Sequence, residues 1–256
     1  VRTLKVRVIE LSDQRTLLVL EGVSPSFANS IRRAIIAEVP TFAIDEVIFF
    51  ENTTPFFDEY IAHRLAMVPL RTSLDVLRVD PNRTVVLELS KKAKDPIEIV
   101  YSGELKSSDP LIYPANDKIP IIKMRKGQKL RFQAIARIGR GKDHSKWSPA
   151  AAVGYSYMPI YELKDLESIE CDLNQCSNCI ESDGGILRID YPVLCEGCLE
   201  MLERCRVRNP DKIVRRWDES RIIISYESTG SLRPEEIFSE ALNQMKGKLE
   251  ELLSKI

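Results

Sequence analysis

The sequence predicts a mixed α and β protein of two or three compact units, and three observations carry that prediction. Runs with period-two alternation, such as TLKVRVI, stand beside runs whose apolar residues recur every three or four positions, such as FANSIRRAIIAEV and IFSEALNQMKGKLEELL. The length, 256 residues, exceeds what one small core fills. Every cysteine falls between Cys171 and Cys205, so the thiols serve one local unit and do not staple the whole chain.

Composition narrows the class. With 44% apolar and 29% charged residues the chain is neither a disordered tail, a collagen nor a coiled-coil rod. Basic and acidic side chains number 37 and 38, a net charge of -1, so any attraction to nucleic acid or an anionic surface has to be local. No run of about 18 apolar residues occurs, and the N-terminal stretch alternates instead of joining a charged head to an apolar run. The expectation is a cytoplasmic protein without membrane association.

Taken in order, residues 3–9 and 16–20 read as strands around the turn signal Ser12-Asp13-Gln14. Ser24 is placed to cap a helix in which Phe27, Ile31 and Ile35 recur every four residues, with Arg32 and Arg33 beside the stripe and Pro40 at its end. TFAIDEVIFFE reads as a strand with acidic interruptions, and DEYIAHRLAMVPL as a short helix stopped by Pro69. Residues 84–89, 97–101, 129–138 and 153–162 are strand-like and suggest a β-rich middle domain. After the cysteines come a strand over 221–227, closed by Thr229-Gly230, and a long helix with Pro234 in its first turn and Glu235 and Glu236 at its positive end. In that helix Phe238, Leu242, Met245, Leu249, Leu252 and Ile256 follow a 4-3-4-3-4 spacing, which lines them along one seam. Ile237, Ala241 and Leu253 widen the seam beyond the needs of one small sheet, so an interface with a partner is expected there.

The cysteines are spaced Cys171-x4-Cys176-x2-Cys179-x15-Cys195-x2-Cys198-x6-Cys205. Two C-x-x-C pairs about 15 residues apart let two knuckles converge on one metal or cluster. An even count in a short segment equally permits disulfides. Elsewhere, catalytic signatures are missing: there is no phosphate-binding glycine loop, dinucleotide fingerprint, zinc-protease helix or nucleophile elbow, and neither His63 nor His144 has a nucleophile beside it in sequence. No residue is assigned a catalytic role. One local field stands out, with Lys123, Arg125, Lys126, Lys129, Arg131, Arg137, Arg140, Lys142 and Lys146 around the single acid Asp143. Such a patch is solvated, meets an acidic protein surface, or tracks phosphates with Trp147 stacking on a base.

Three segments carry a family resemblance: FANSIRRAIIAEVPTFAIDEVIFFENTTPFFDEYIAHRLAMVPL, GRGKDHSKWSP at 139–149 and STGSLRPEEIFSEAL at 228–242. Together they resemble the alpha-like subunits of archaeal DNA-directed RNA polymerase, counterparts of the N-terminal region of the bacterial alpha chain, and the likeness covers nearly the whole sequence. The resemblance implies an α+β fold. A discontinuous alpha-like dimerisation domain takes residues 1–43 and 213–256, an inserted β-rich domain 44–165, and a small ferredoxin-like cysteine domain 166–212. It implies a non-catalytic assembly platform within a nucleotidyltransferase complex. Such a platform pairs with the small alpha-like subunit L, joins two small zinc-binding subunits, docks the large catalytic subunits, and meets DNA only through the whole complex. On this reading the dimer interface holds Phe27, Ile31, Ile35, Phe238, Leu242, Met245, Leu249, Leu252 and Ile256. Docking of the large subunits falls to Arg32, Arg33, His63, Arg64, Arg140, Lys142, His144 and Trp147, where guanidinium forks suit carboxylates.

In the cysteine domain the resemblance implies iron–sulfur ligation, but Met201 stands where a third ligand of the second run would be, and neither Cys176 nor Cys205 is followed by proline. A thioether replaces thiolate poorly on iron, so at most one cluster, [3Fe-4S] or [4Fe-4S], is expected. Zinc on Cys176, Cys179, Cys195 and Cys198, or disulfides with no metal, are the alternatives. A second functional class is an iron–sulfur electron-transfer protein using all six of these cysteines, and a third is a nucleic-acid-binding module over 123–147.

Overall fold

The computed structural model describes residues 4–164, 179–183, 186–189 and 195–256. Cys171 and Cys176 lie outside the described residues. The chain forms two compact units, one of Val1–Glu10, Leu17–Ser30 and Gly154–Ser225, the other of Leu11–Thr16, Ile31–Val153 and Tyr226–Ile256. The fold is mixed α and β and dominated by sheet, and no described helix is long and apolar enough to cross a membrane.

The first unit is built on a six-stranded sheet. Its strands are β1 (Lys5–Leu11), β2 (Arg15–Glu21), β9 (Ala150–Leu163), β10 (Ile180–Asp183), β11 (Ile186–Ile189) and β12 (Ile213–Ser228), in the order β1-β2-β12-β9-β11-β10. The run TLLVL in β2 has no polar alternation because Leu17, Leu18, Val19 and Leu20 are all buried. Leu17 and Val19 cluster with Met158 and Ile223, and Ile9 leans on them. At the other end β10 and β11 form an antiparallel pair, with Leu187 of β11 opposite Tyr161 of β9. Helix α4 (Glu196–Arg208) joins them through a core of Tyr161, Leu163, Leu187, Leu202, Ile213, Cys195, Cys198 and Cys205. The sequence reading missed α4, since it treated the cysteines as ligands. Cys198, Leu202 and Cys205 in fact make a 4-3 apolar stripe. It also began β12 at 221, because residues 215–220 are mostly exposed and show no alternation.

In the second unit β3 (Pro40–Asn52), β8 (Lys129–Arg140), β4 (Thr84–Lys92) and β6 (Lys106–Ser107) form a four-stranded antiparallel sheet in that order, and β5 (Ile97–Tyr101) pairs with β7 (Pro120–Arg125). Alternation in β8 sends Leu130, Phe132, Ala134 and Ala136 into a core shared with Phe42, Ile44, Leu87 and Val100. Helix α2 (Asp58–Ala66) buries Ile61 and Leu65 in that core, and the six-residue α3 (Leu74–Val79) adds Val76 and Leu77. Neither α3 nor β7 was anticipated: α3 makes fewer than two helical turns, and β7 opens on Pro120, which argues against a strand in sequence. Helix α1 (Pro25–Ala37) starts as predicted, with the Phe27 amide donating to Ser24 Oγ at 3.3 Å.

Arg64, expected on a docking surface, is half-buried and tied to the backbone of the second unit. Its Nε donates to the Ile121 carbonyl at 2.6 Å and its Nη2 to the Pro120 carbonyl, which fastens α2 to the start of β7. Both carbonyls lose a charged donor in an Arg64→Ala variant. Urea denaturation is expected to show a loss of about 2–3 kcal/mol, and Arg64→Lys, which lacks the planar fork, is expected to recover only part of it.

Candidate assembly surfaces

Helix α5 (Pro234–Leu253) is the element on which the predicted seam lies, and its first turn is firmly anchored. Gly230 turns the chain with φ +93°, a conformation that favours glycine. Its carbonyl accepts from Arg71 Nη1 at 3.1 Å, and the Thr72 amide donates to the Ser231 carbonyl at 2.8 Å. Buried Tyr226 donates its hydroxyl to the Pro234 carbonyl at 2.7 Å, and burial pushes that phenol up to about 12. Glu236 reaches back to the Arg233 amide at 2.8 Å, a carboxylate at the positive helix end.

Beyond this anchor the helix divides. Ile237 and Ala241, expected to widen the partner seam, are instead fully buried in the chain itself. The stripe opens after them: Leu242 is 36% exposed, Leu249 59%, Leu252 56%, Leu253 71% and Ile256 95%, with Phe238 and Met245 half-buried. The predicted stripe on α1 behaves differently. Ile31 and Ile35 are buried within the chain, while Phe27 is exposed.

A second surface is the loop between β8 and β9. Glu38, just past α1, sits beneath it with one oxygen 2.5 Å from Lys248 Nζ of α5, and the other 3.7 Å from Lys142 Nζ and 3.8 Å from an Arg140 guanidinium nitrogen. Burial works against the Glu38 carboxylate, but Lys248, Lys142 and Arg140 outweigh it and hold its pKa below the ordinary value. Arg140 also donates to Gln244 of α5 at 3.2 Å. The Lys142 amide donates to the Ala37 carbonyl at 3.1 Å, and a Cβ at Gly141 would fall inside the Ile36 carbonyl oxygen, so only glycine allows this approach. Trp147 lies over Gly139 and donates its indole N–H to the Arg137 carbonyl at 3.1 Å, with Lys146 Nζ 4.3 Å from its ring centroid. His144 is exposed, meets Trp147 edge-on, and accepts from the Lys146 amide on Nδ1.

Of the predicted docking residues, the structure thus gathers Arg140, Lys142, His144 and Trp147 in one loop. Arg33 and His63 are exposed elsewhere and Arg32 is half-buried. The sequence reading missed Glu38, Gln244 and Lys248, and no period marks them. Spacing alone gives Gln244 and Lys248, four apart, one helix face.

The basic patch is answered in part by nearby acids and an aromatic ring. Lys129 pairs with Glu51 at 2.9 Å, Arg137 with Glu46 at 2.6 Å, Lys146 with Asp45 at 2.6 Å, and Arg131 covers the Phe50 ring. Two β-bulges in β3, at Ile44/Glu46 and Phe49/Glu51, leave Asp45 and Phe50 out of register. Asp45 is one of the acidic interruptions visible in the sequence.

Cys179 and Cys195 are joined as a disulfide across 16 residues, and Cys198 and Cys205 are disulfide-bonded as well. Iron and zinc take thiolate, which a disulfide sulfur does not offer, so in this form the described cysteines do not fit a cluster or a zinc site.

Two outcomes follow for the solution behaviour. Replacing Cys179 and Cys195 together by serine is expected to cost about 3 kcal/mol in denaturant unfolding, the chain-entropy value for a loop of this length. Glu38 has a depressed folded pKa, so its contribution is complete above the unfolded value of about 4.3 and is lost as pH falls through the folded value. Wild type is therefore expected to exceed Glu38→Gln by about 1 kcal/mol at pH 7, with the gap shrinking as pH falls below the unfolded value of about 4.3.

Residues 18–249 match the family model for the RNA polymerase Rpb3/Rpb11 dimerisation domain. Among curated relatives, the DNA-directed RNA polymerase subunit Rpo3 of Pyrococcus horikoshii is 51% identical over 158 residues, and the corresponding subunit of Pyrococcus furiosus is 49% identical over 164. These two alignments cover 60% and 62% of this chain, and the chain spans only 58% and 60% of the two relatives' lengths. The Rpo3 subunit of Methanosarcina mazei is 36% identical over 98% of both chains. With a family model spanning most of its length and a relative matched end to end, the chain belongs to the RNA polymerase Rpb3/Rpb11 dimerisation-domain family.

Proposed function

We propose that this chain is the non-catalytic assembly platform of an archaeal DNA-dependent RNA polymerase, pairing with the small alpha-like subunit L through α5. The observation that carries the proposal is the open stripe of Leu242, Leu249, Leu252, Leu253 and Ile256 on an otherwise well-anchored helix. Apolar surface of this extent on a regular element is stabilised by a second apolar surface at about 25 cal/mol per Å² removed from water. Residues 1–43 and 213–256 form the dimerisation domain in this reading, with 44–165 and 166–212 inserted into it. Phe27 and the exposed part of α5 meet the partner, while Ile31 and Ile35 are buried within the chain. The 139–147 loop, with Arg33 and His63, faces the large catalytic subunits, and two small zinc-binding subunits complete the platform. DNA is met only by the whole complex, in the cytoplasm. The cysteine segment acts as a disulfide-stapled module in its oxidised form, which is the metal-free alternative. An electron-transfer role would need thiolates that Cys179, Cys195, Cys198 and Cys205 do not offer while oxidised.

Leu249→Asp puts a charge into the middle of the stripe. Co-expression with subunit L followed by sedimentation velocity is expected to show the wild-type pair and at least a hundredfold weaker pairing for the variant, consistent with losing a buried apolar anchor of about 3 kcal/mol. Full pairing by Leu249→Asp would remove α5 from the interface.

A further inference from the structure

We propose that Glu38 couples the two assembly surfaces, so that a chain seated on α5 fixes the 139–147 loop for the next partner. This rests on the reading of α5 as the pairing seam. Gln244 and Lys248 occupy successive turns of one α5 face, and each holds the loop, Gln244 by accepting from Arg140 and Lys248 through the Glu38 carboxylate that also faces Lys142 and Arg140. Lys248 is the immediate neighbour of Leu249 in the open stripe. A partner packed on Leu242, Leu249 and Leu252 therefore holds the same helical turns that hold the loop.

The other side of the link has no slack. The Lys142 amide bonds the Ala37 carbonyl, and the Gly141 backbone lies against the Ile36 carbonyl with no room for a methyl group. Glu38 has one oxygen buried without a hydrogen bond, while its side chain as a whole is 18% exposed. Three cations around one carboxylate leave the site net positive. Losing Lys248 from it removes the ion pair that reaches α5 through Glu38, while Lys142 and Arg140 remain on the loop side. By linkage, whatever steadies α5 steadies the loop, and a partner on the loop in turn strengthens pairing.

The test is amide hydrogen exchange over residues 139–147 in the purified pair with the small alpha-like partner, with pairing followed in the same samples by sedimentation. Four chains are compared: wild type, Lys248→Met, Glu38→Gln, and Lys246→Met, whose lysine, among the described residues, pairs along the helix with Glu250 at 3.7 Å. Lys248→Met and Glu38→Gln are expected to speed exchange in the loop about fivefold or more with pairing retained, while Lys246→Met matches wild type. The double variant is expected to be no faster than either single one. Unchanged loop exchange in Lys248→Met, or equal acceleration by Lys246→Met, overturns the coupling. The seam assignment is judged apart from this, by whether Leu249→Asp abolishes pairing.

Discussion

The constraint on which the rest of this molecule depends is that α5 presents more apolar surface than its own chain covers. A 20-residue helix is about 30 Å long, and only its first two turns, with Pro234, Ile237 and Ala241, are buried. The anchor at that end is dense: Tyr226, the Gly230 turn, Ser231 against Thr72 and the Glu236 cap all fix the direction in which α5 leaves. The helix is thus aimed by strong local interactions toward a place where it has leucines that the described residues leave exposed. Mean charge explains none of this, since the chain is nearly neutral; the distribution of apolar side chains does.

Polar interactions organise the second surface by the opposite logic. Alternation in β8 sends Lys129, Arg131 and Arg137 to the solvent side, where Glu51 and Glu46 of β3 stand across the sheet to receive two of them. Part of the charge that looks like a nucleic-acid patch in one dimension is paired in three. What is left is local and structured: a glycine loop pressed on the end of α1, a tryptophan folded over Gly139, and a carboxylate ringed by three cations. A loop this constrained is suited to recognition because little conformational entropy remains to be lost on docking.

The strands and helices with a clear period were legible from residue order: β2, the alternation of β8, the Ser24 cap of α1, and the start of α5 at Pro234. The seam on α5 was legible too, but its division was not, because apolar residues on both flanks of the helix widen the stripe without showing which flank the chain itself covers. Ile31 and Ile35 show the same limit. Their four-residue period marks an apolar face without saying whether the chain or a partner covers it. Helix α4 was hidden because its stripe is made partly of cysteines, and Arg64 looked like a free docking charge because its acceptors are backbone carbonyls 56 and 57 residues away. Long-range acceptors of that kind leave no pattern along the chain. Glu38 is the same case, with partners supplied by two elements far from it in order.

Carbene footprinting of α5 within the assembled polymerase, compared with the isolated chain, bears most directly on the central claim. Leu242, Leu249, Leu252 and Leu253 are predicted to become protected from labelling on assembly, while exposed residues on the opposite face, such as Glu251, keep their reactivity. Equal labelling of those leucines in the complex and in the isolated chain would mean that the stripe faces solvent throughout, and would contradict the account.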